Sequence, residues 1–101
     1  MDIYKIIQDC IGFEWDQYNN IEKNWDKHKV TPFESEQAFF NKPLIIADDP
    51  KHSQDEKRFY ALGKTDQERK LFIVFTIRRK KIRIISSRDM NKKERIFYEK
   101  C

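Results

Sequence analysis

Four residues in the middle of the chain combine the groups needed to cleave a phosphodiester: His52, Glu56, Arg58 and Arg83. The first three fall in the run His52-Ser53-x-x-Glu56-x-Arg58, which brings together a titratable imidazole, a carboxylate and a guanidinium. A carboxylate base, an imidazole acid and an arginine beside a phosphate suffice for general acid–base cleavage of RNA. No metal is required where the RNA 2′-hydroxyl is the nucleophile. The planar forks of Arg58 and Arg83 suit bidentate phosphate binding and keep their charge. A structural alternative stands beside this one. Loop histidines are commonly surface residues, and each arginine could pair with a local carboxylate such as Glu56 or Glu68. Lys27-His28 is a second proton-handling candidate, although the helix dipole alone favours cations at a helix C-terminus.

These side chains need a sheet to aim them. Lys57–Leu62, Lys70–Ile77 and Lys81–Ser87 read as three strands separated by short breaks, which suits an antiparallel meander. The apolar run Leu71–Ile77 belongs in its centre, with both faces covered. Period two puts Ile82 and Ile84 on one face and Arg83 and Ile85 on the other; Phe59 and Ala61 likewise oppose Arg58 and Tyr60. If Phe59, Ile82 and Ile84 face the helices, Arg58 and Arg83 flank the central strand on the opposite face. Two strand spacings would then separate them, roughly 10 Å.

The rest of the chain supplies the cover. Ile3–Ile7 is an edge-strand candidate, and Asp16 is a candidate N-cap for a helix from Gln17 to His28, with Tyr18, Ile21 and Trp25 on one face. Thr31-Pro32-Phe33-Glu34 is a capping box with proline at the first helical position. That helix should run to about Asn41, with Phe33, Phe40 and Ala38 or Phe39 inward, and Pro43 should stop it. Leu44–Ala47 reads as a short strand and Asp48–Asp55 as a polar loop. Asn91 and Glu94 cap a final helix carrying Ile96, Phe97 and Tyr98. The expected fold is α+β: an antiparallel β-sheet meander with two N-terminal helices and one C-terminal helix. Trp25, Phe33, Phe40, Phe59, Ile73, Phe75, Ile82 and Ile84 are the expected core.

Length and charge narrow the function. The 101 residues suit one domain, 1–101. With 38% charged residues, the core must be small and the surface strongly charged. Residues 78–95 carry nine basic and two acidic residues, a net of +7 in a chain of net +4. Such a segment suggests a polyanion partner, with Arg78, Arg79, Lys80, Lys81 and Arg88 as RNA contacts, although a solvated charged face is the plain alternative. Arg88, Glu94 and Tyr98 are further candidates for the rim of the site. Cys10, Cys101, His28 and His52 show no metal-ligand spacing, so no metal or cofactor is expected, and the two cysteines read as free thiols. No apolar run spans a membrane, and a soluble cytoplasmic protein is expected.

Several separated motifs resemble the BrnT-type toxin family. They are Phe13-Glu14-Trp15-Asp16, Asn24-Trp25-x-Lys27-His28-x-Val30, the Phe33–Phe40 helix, and His52-Ser53-x-x-Glu56-x-Arg58-Phe59 with Leu62-Gly63. Phe75-Thr76-Ile77-Arg78, Ile82-Arg83-Ile84-Ile85-Ser86-Ser87-Arg88, Glu94-Arg95 and Tyr98 complete the pattern over about residues 12–99. Two positions depart from it: Lys29 stands where the family usually has glycine, and Ser87 where it usually has alanine. The resemblance implies a RelE-like fold and a metal-independent endoribonuclease toxin of a bacterial type II toxin–antitoxin pair, arresting growth by cutting RNA. It also implies a small BrnA-like antitoxin that neutralises the toxin, with operator DNA bound only through the antitoxin. The alternative is a non-enzymatic nucleic-acid- or partner-binding module using the same basic face.

Overall fold

The computed structural model describes residues 2–16, 21–52 and 56–101. In chain order the elements are α1 (Ile3–Gln8), β1 (Gly12–Glu14), α2 (Glu22–His28), α3 (Pro32–Ala38), β2 (Ile45–Asp48), a 3-10 turn (Pro50–His52), β3 (Arg58–Lys64), β4 (Lys70–Arg78), β5 (Lys81–Asp89) and α4 (Lys92–Glu99). The five strands form one sheet in the order β1-β5-β4-β3-β2. The expected meander is its centre, with β4 antiparallel to both β3 and β5.

Three elements differ from expectation. Residues 3–8 form a helix and not an edge strand, because the Asp2 side chain accepts from the Tyr4 N–H at 3.0 Å and caps it. Gly12–Glu14 is a fifth strand, and it pairs parallel to β5, so the sheet is mixed. Among the described residues there are therefore three α-helices before the meander. Helix α2 starts at Glu22 with no side-chain cap at Ile21. The expected capping residue Asp16 instead lies 3.7 Å from Arg83, and Tyr18 falls outside the described residues.

The inner face of the sheet is the main core. Phe59, Ala61, Leu71, Ile73, Phe75, Ile82 and Ile84 are buried there with Val30, Ala38 and Phe39. Phe39 meets Phe75 edge-on at 5.2 Å, and Phe59 stacks on Phe75 at 5.5 Å. Five of the eight expected core residues are thus buried, and Trp25, Phe33 and Phe40 are not. Both helices turn different faces inward. On α2 the buried residue is Asn24, whose Oδ1 accepts from the Ser87 N–H. On α3 Ser35 and Ala38 are buried, followed by Phe39 in the turn beyond it, so Phe33 and Phe40 point outward. Close approach selects these small residues: a Cβ on Gly63 would lie 2.8 Å from the Ala38 carbonyl oxygen.

The second half of the fold lies across the sheet. Helix α4 keeps its expected capping box, with Asn91 and Glu94 each accepting from the other's backbone N–H. Its Tyr98 is buried with Leu62 and Met90, against Ile45 and Phe72. Leu62 and Phe72 are paired across β3 and β4. Helix α4 therefore covers one end of the outer face, and among the described residues no helix covers the other end.

Both departures from the family pattern have a structural counterpart. Ser87 is fully buried, and its hydroxyl lies 2.7 Å from that of Ser35. Lys29 is the left-handed C-cap of α2, at φ 54° and ψ 42°, a conformation that favours glycine. Its ammonium lies 5.0 Å from the centre of the Trp25 ring, a partial offset. Lys29→Gly should therefore stabilise the protein by roughly 1 kcal/mol, raising Tm by about 4–8 °C in a domain of this size. Thermal unfolding of the two proteins checks this, and an unchanged or lower Tm would mean that the Trp25 contact dominates.

Candidate active site

The open end of the outer face carries a row of paired positions across four strands. Arg58 on β3 pairs with Thr76 on β4, Thr76 with Arg83 on β5, and Arg83 with Glu14 on β1. Paired positions share a face. The two arginines therefore flank Thr76 at two strand spacings, roughly 10 Å. The Thr76 hydroxyl donates to the Lys57 carbonyl oxygen at 2.7 Å and holds the start of β3 in place.

The carboxylates around this row treat its cations unequally. Glu56 takes Arg78 in a two-point pair, with 2.8 Å on each arm. That hydrogen bond is the main reason the Glu56 carboxyl sits below the usual range, and the charges of Arg78, Arg83 and Arg58 add to it. Arg83 is held more loosely, at 3.4 Å from Glu14 and 3.7 Å from Asp16. Only the shorter of these is within hydrogen-bond range, and it is a long one. The expected local partners are otherwise engaged: Glu56 pairs with Arg78, and Glu68 with Lys64. Glu14 and Asp16 were not anticipated as part of the site. Their signal is the alternation in Gly12-Phe13-Glu14-Trp15-Asp16, which reads as a strand with its acids on one face.

His52 ends the 3-10 turn that leads towards β3, and Asp49 in that loop donates its N–H to the Arg58 carbonyl oxygen at 2.9 Å. Ser53 of the sequence run and the His52 side chain lie outside what the structure describes. Lys27 and His28 are not brought to the row. They end α2, which packs through Asn24 on the inner-facing Ser87. The His28 and Lys29 carbonyls accept from Arg69, which also binds Glu34 and Asp89. Leu71 is the partner of Asp89, five residues along β4 from Thr76, or roughly 17 Å. The Arg69 bond holds Asp89 below its ordinary value. Burial pulls Glu34 upward, but the Thr31 N–H and Arg69 outweigh it, and it too is lowered.

The basic residues divide between roles. Arg88 is bonded to Glu94 at 2.8 and 3.0 Å and lies over the Phe72 ring at 4.2 Å, so it fastens α4 to the sheet. Tyr98 is the buried anchor of the same helix and donates to the Pro43 carbonyl oxygen. Arg79 and Lys80 form the two-residue turn between Arg78 and Lys81, both at positive φ, 54° and 60°. Two-residue hairpin turns of this kind favour Asn-Gly. Two exposed cations therefore occupy backbone positions that cost stability, at the edge of the arginine row.

Together these features define a class: a small α+β domain whose sheet carries a row of arginines at the end of the outer face beyond α4. A family model described as "Ribonuclease toxin, BrnT, of type II toxin-antitoxin system" matches residues 15–94, and the chain belongs to this family. The family is one of ribonuclease toxins with antitoxin partners. The fold is similar to that of the Brucella abortus ribonuclease toxin BrnT in its crystal structure, at a TM-score of 0.59 and 17% identity. The match covers 80% of this chain and 97% of that one. No curated protein matches by sequence. Among the described residues, no helix is long and apolar enough to cross a membrane.

Replacing the tip by Arg79→Asn/Lys80→Gly should relieve the turn and raise Tm by several degrees. If the tip contacts RNA, the same variant should bind single-stranded RNA more weakly, with the slope of log K against log salt reduced by about 0.7 per lost phosphate contact. Salt-dependent RNA binding and thermal melts check both halves. Unchanged affinity would remove the tip from the RNA surface.

Proposed function

We propose that the chain is a metal-independent endoribonuclease whose scissile phosphate is held between Arg58 and Arg83. The observation that carries this is the row across the sheet, with Arg83 in long contacts to its carboxylates while Arg69, Arg78 and Arg88 make short two-point pairs. A phosphate competes poorly for a saturated guanidinium and well for a loosely held one. Attack of the 2′-oxygen on phosphorus breaks the bond to the 5′-oxygen and leaves a 2′,3′-cyclic phosphate. Charge gathers on the phosphoryl oxygens as this occurs, and a guanidinium already in position stabilises it.

Glu56, two residues before Arg58, is the proton acceptor for the 2′-hydroxyl; the Arg78 hydrogen bond and the field of the arginines keep it ionised but weaken it as a base. A depressed carboxylate is a weak base, and most of the rate therefore comes from charge stabilisation. His52, from the adjoining loop, protonates the leaving oxygen. Lys27 and His28 take no direct part. In the cell, RNA cleavage arrests growth, and a small BrnA-like antitoxin neutralises the toxin and carries the complex to operator DNA. The exposed Phe33, Phe40, Ile96 and Phe97 supply apolar surface for such a partner.

Arg58→Ala and Arg83→Ala should each lower cleavage by about 10²–10³-fold and abolish growth arrest, with Tm and antitoxin binding close to the parent. Lysine should restore little, because an ammonium lacks the planar fork. Cleavage assays in excess chelator, with expression in bacteria alongside, provide the test. Parent-like cleavage by both alanine variants, or loss of parent activity on chelation, would contradict the proposal. Unfolding of both variants would make the arginines structural.

A further inference from the structure

Beside the arginine row lies a cleft. It is lined by Asp49, Arg58, Tyr60, Val74, Ile85 and Ser86, with Phe72 at one end. Tyr60 follows Arg58 by two residues on the same face, about 6.6 Å along the strand. Its ring stacks on Phe72, with centroids 5.5 Å apart and planes at 22°. Phe72 is covered in turn by the Arg88 guanidinium at 4.2 Å, and Arg88 is held by both oxygens of Glu94. Tyr60 is thus braced by a column that ends on a helix cap.

The other wall of the cleft comes from an irregularity in β5. Phe75 pairs with Ile84 and Val74 with Ser86, so Ile85 is an extra residue. Ile85 and Ser86 both line the cleft. Apolar side chains from Val74 and Ile85, a braced phenol ring and the serine Ser86, next to two arginines, match the parts of one nucleotide. The arginines fit the phosphate, the ring fits the face of the base, and Ser86 fits its polar edge.

We propose that this cleft holds one unpaired RNA base against Tyr60, on the nucleotide adjoining the phosphate at Arg58 and Arg83. This rests on the ribonuclease reading of the arginine row. The occupant is single-stranded RNA, because a paired base cannot turn its face to the sheet. Tyr60 is a binding residue here and takes no part in proton transfer.

The test combines cleavage kinetics on single-stranded RNA with fluorescence of an oligoribonucleotide carrying one 2-aminopurine beside the cleavage site. Tyr60→Leu keeps an apolar side chain and removes the ring. It should raise KM about 10-fold or more, change kcat less, and lose the quenching seen with the parent. Tyr60→Phe should behave like the parent. Ser86→Trp, which fills the cleft from its rim, should also raise KM and exclude the probe, even if Tyr60→Leu proves unstable. Parent-like KM and quenching in Tyr60→Leu and Ser86→Trp would overturn the proposal and leave the ribonuclease reading intact. Tyr60-dependent quenching without any cleavage by the parent would support the base site and overturn the ribonuclease reading. No RNA binding by the parent would overturn both.

Discussion

The register of three strands is the constraint on which the rest depends. Phe59, Phe75 and Ile84 are buried on the inner face, and Phe39 packs edge-on against Phe75. Side chains alternate along a strand, so burying these residues sends Arg58, Thr76 and Arg83 to the outer face. A slip of one residue would drive two guanidiniums into the core, where an unpaired charge is prohibitively costly. The aromatic packing thereby fixes the spacing of the two arginines. The extra residue Ile85 then resets the alternation of β5: Ser87 can face inward to Asn24 and Ser35, while Arg83 and Arg88 both face outward. Without it, one end of β5 would have its polar groups on the wrong face.

The fold uses its arginines in two ways, and contact geometry separates them. Arg69 gathers the C-terminus of α2, Glu34 of α3 and Asp89 of β5 into one clamp at the closed end of the sheet. Arg88 binds α4 to the outer face through Glu94. Between these fastenings and the hairpin tip, no helix among the described residues covers the outer face. The acids near the open end tune the cations without burying them. Glu14 and Asp16 orient Arg83 at long range, and Glu56 holds Arg78 at the edge. The clamps also bear on acid stability. Asp89, Glu34 and Glu94 are all lowered in the folded state, so their contribution is present above the ordinary carboxylate range and is lost as pH falls from that range through the lowered values.

Much of the sheet was legible because its signals are local. The alternation around Arg58 and Arg83 and the two capping boxes depend on residues close in sequence, and each appears where the pattern put it. What escaped was set by distant partners. Ile3–Gln8 fits a strand as well as a helix, and the Asp2 cap decides it. Gly12–Glu14 becomes a strand only because β5 offers a parallel edge far along the chain. Helices α2 and α3 are two turns long, too short for an apolar stripe to fix their rotation. Close contact at Gly63 and the hydroxyl and N–H of Ser87 chose Ala38, Ser35 and Asn24 over the large aromatics. The same distance hid Glu14 and Asp16, whose link to Arg83 exists only once β1 is paired.

In the proposed function, Arg58 and Arg83 act as one clamp on one phosphate. A double-mutant cycle on the cleavage rate measures this directly, using purified parent, Arg58→Ala, Arg83→Ala and the double variant, with Tm confirming that all four are folded. Groups that work as a unit are strongly non-additive, since losing either one disables the pair. With one shared clamp, the double variant should be little slower than either single variant. Multiplied losses in the double variant would mean that the arginines act at separate places, and the shared clamp would be wrong.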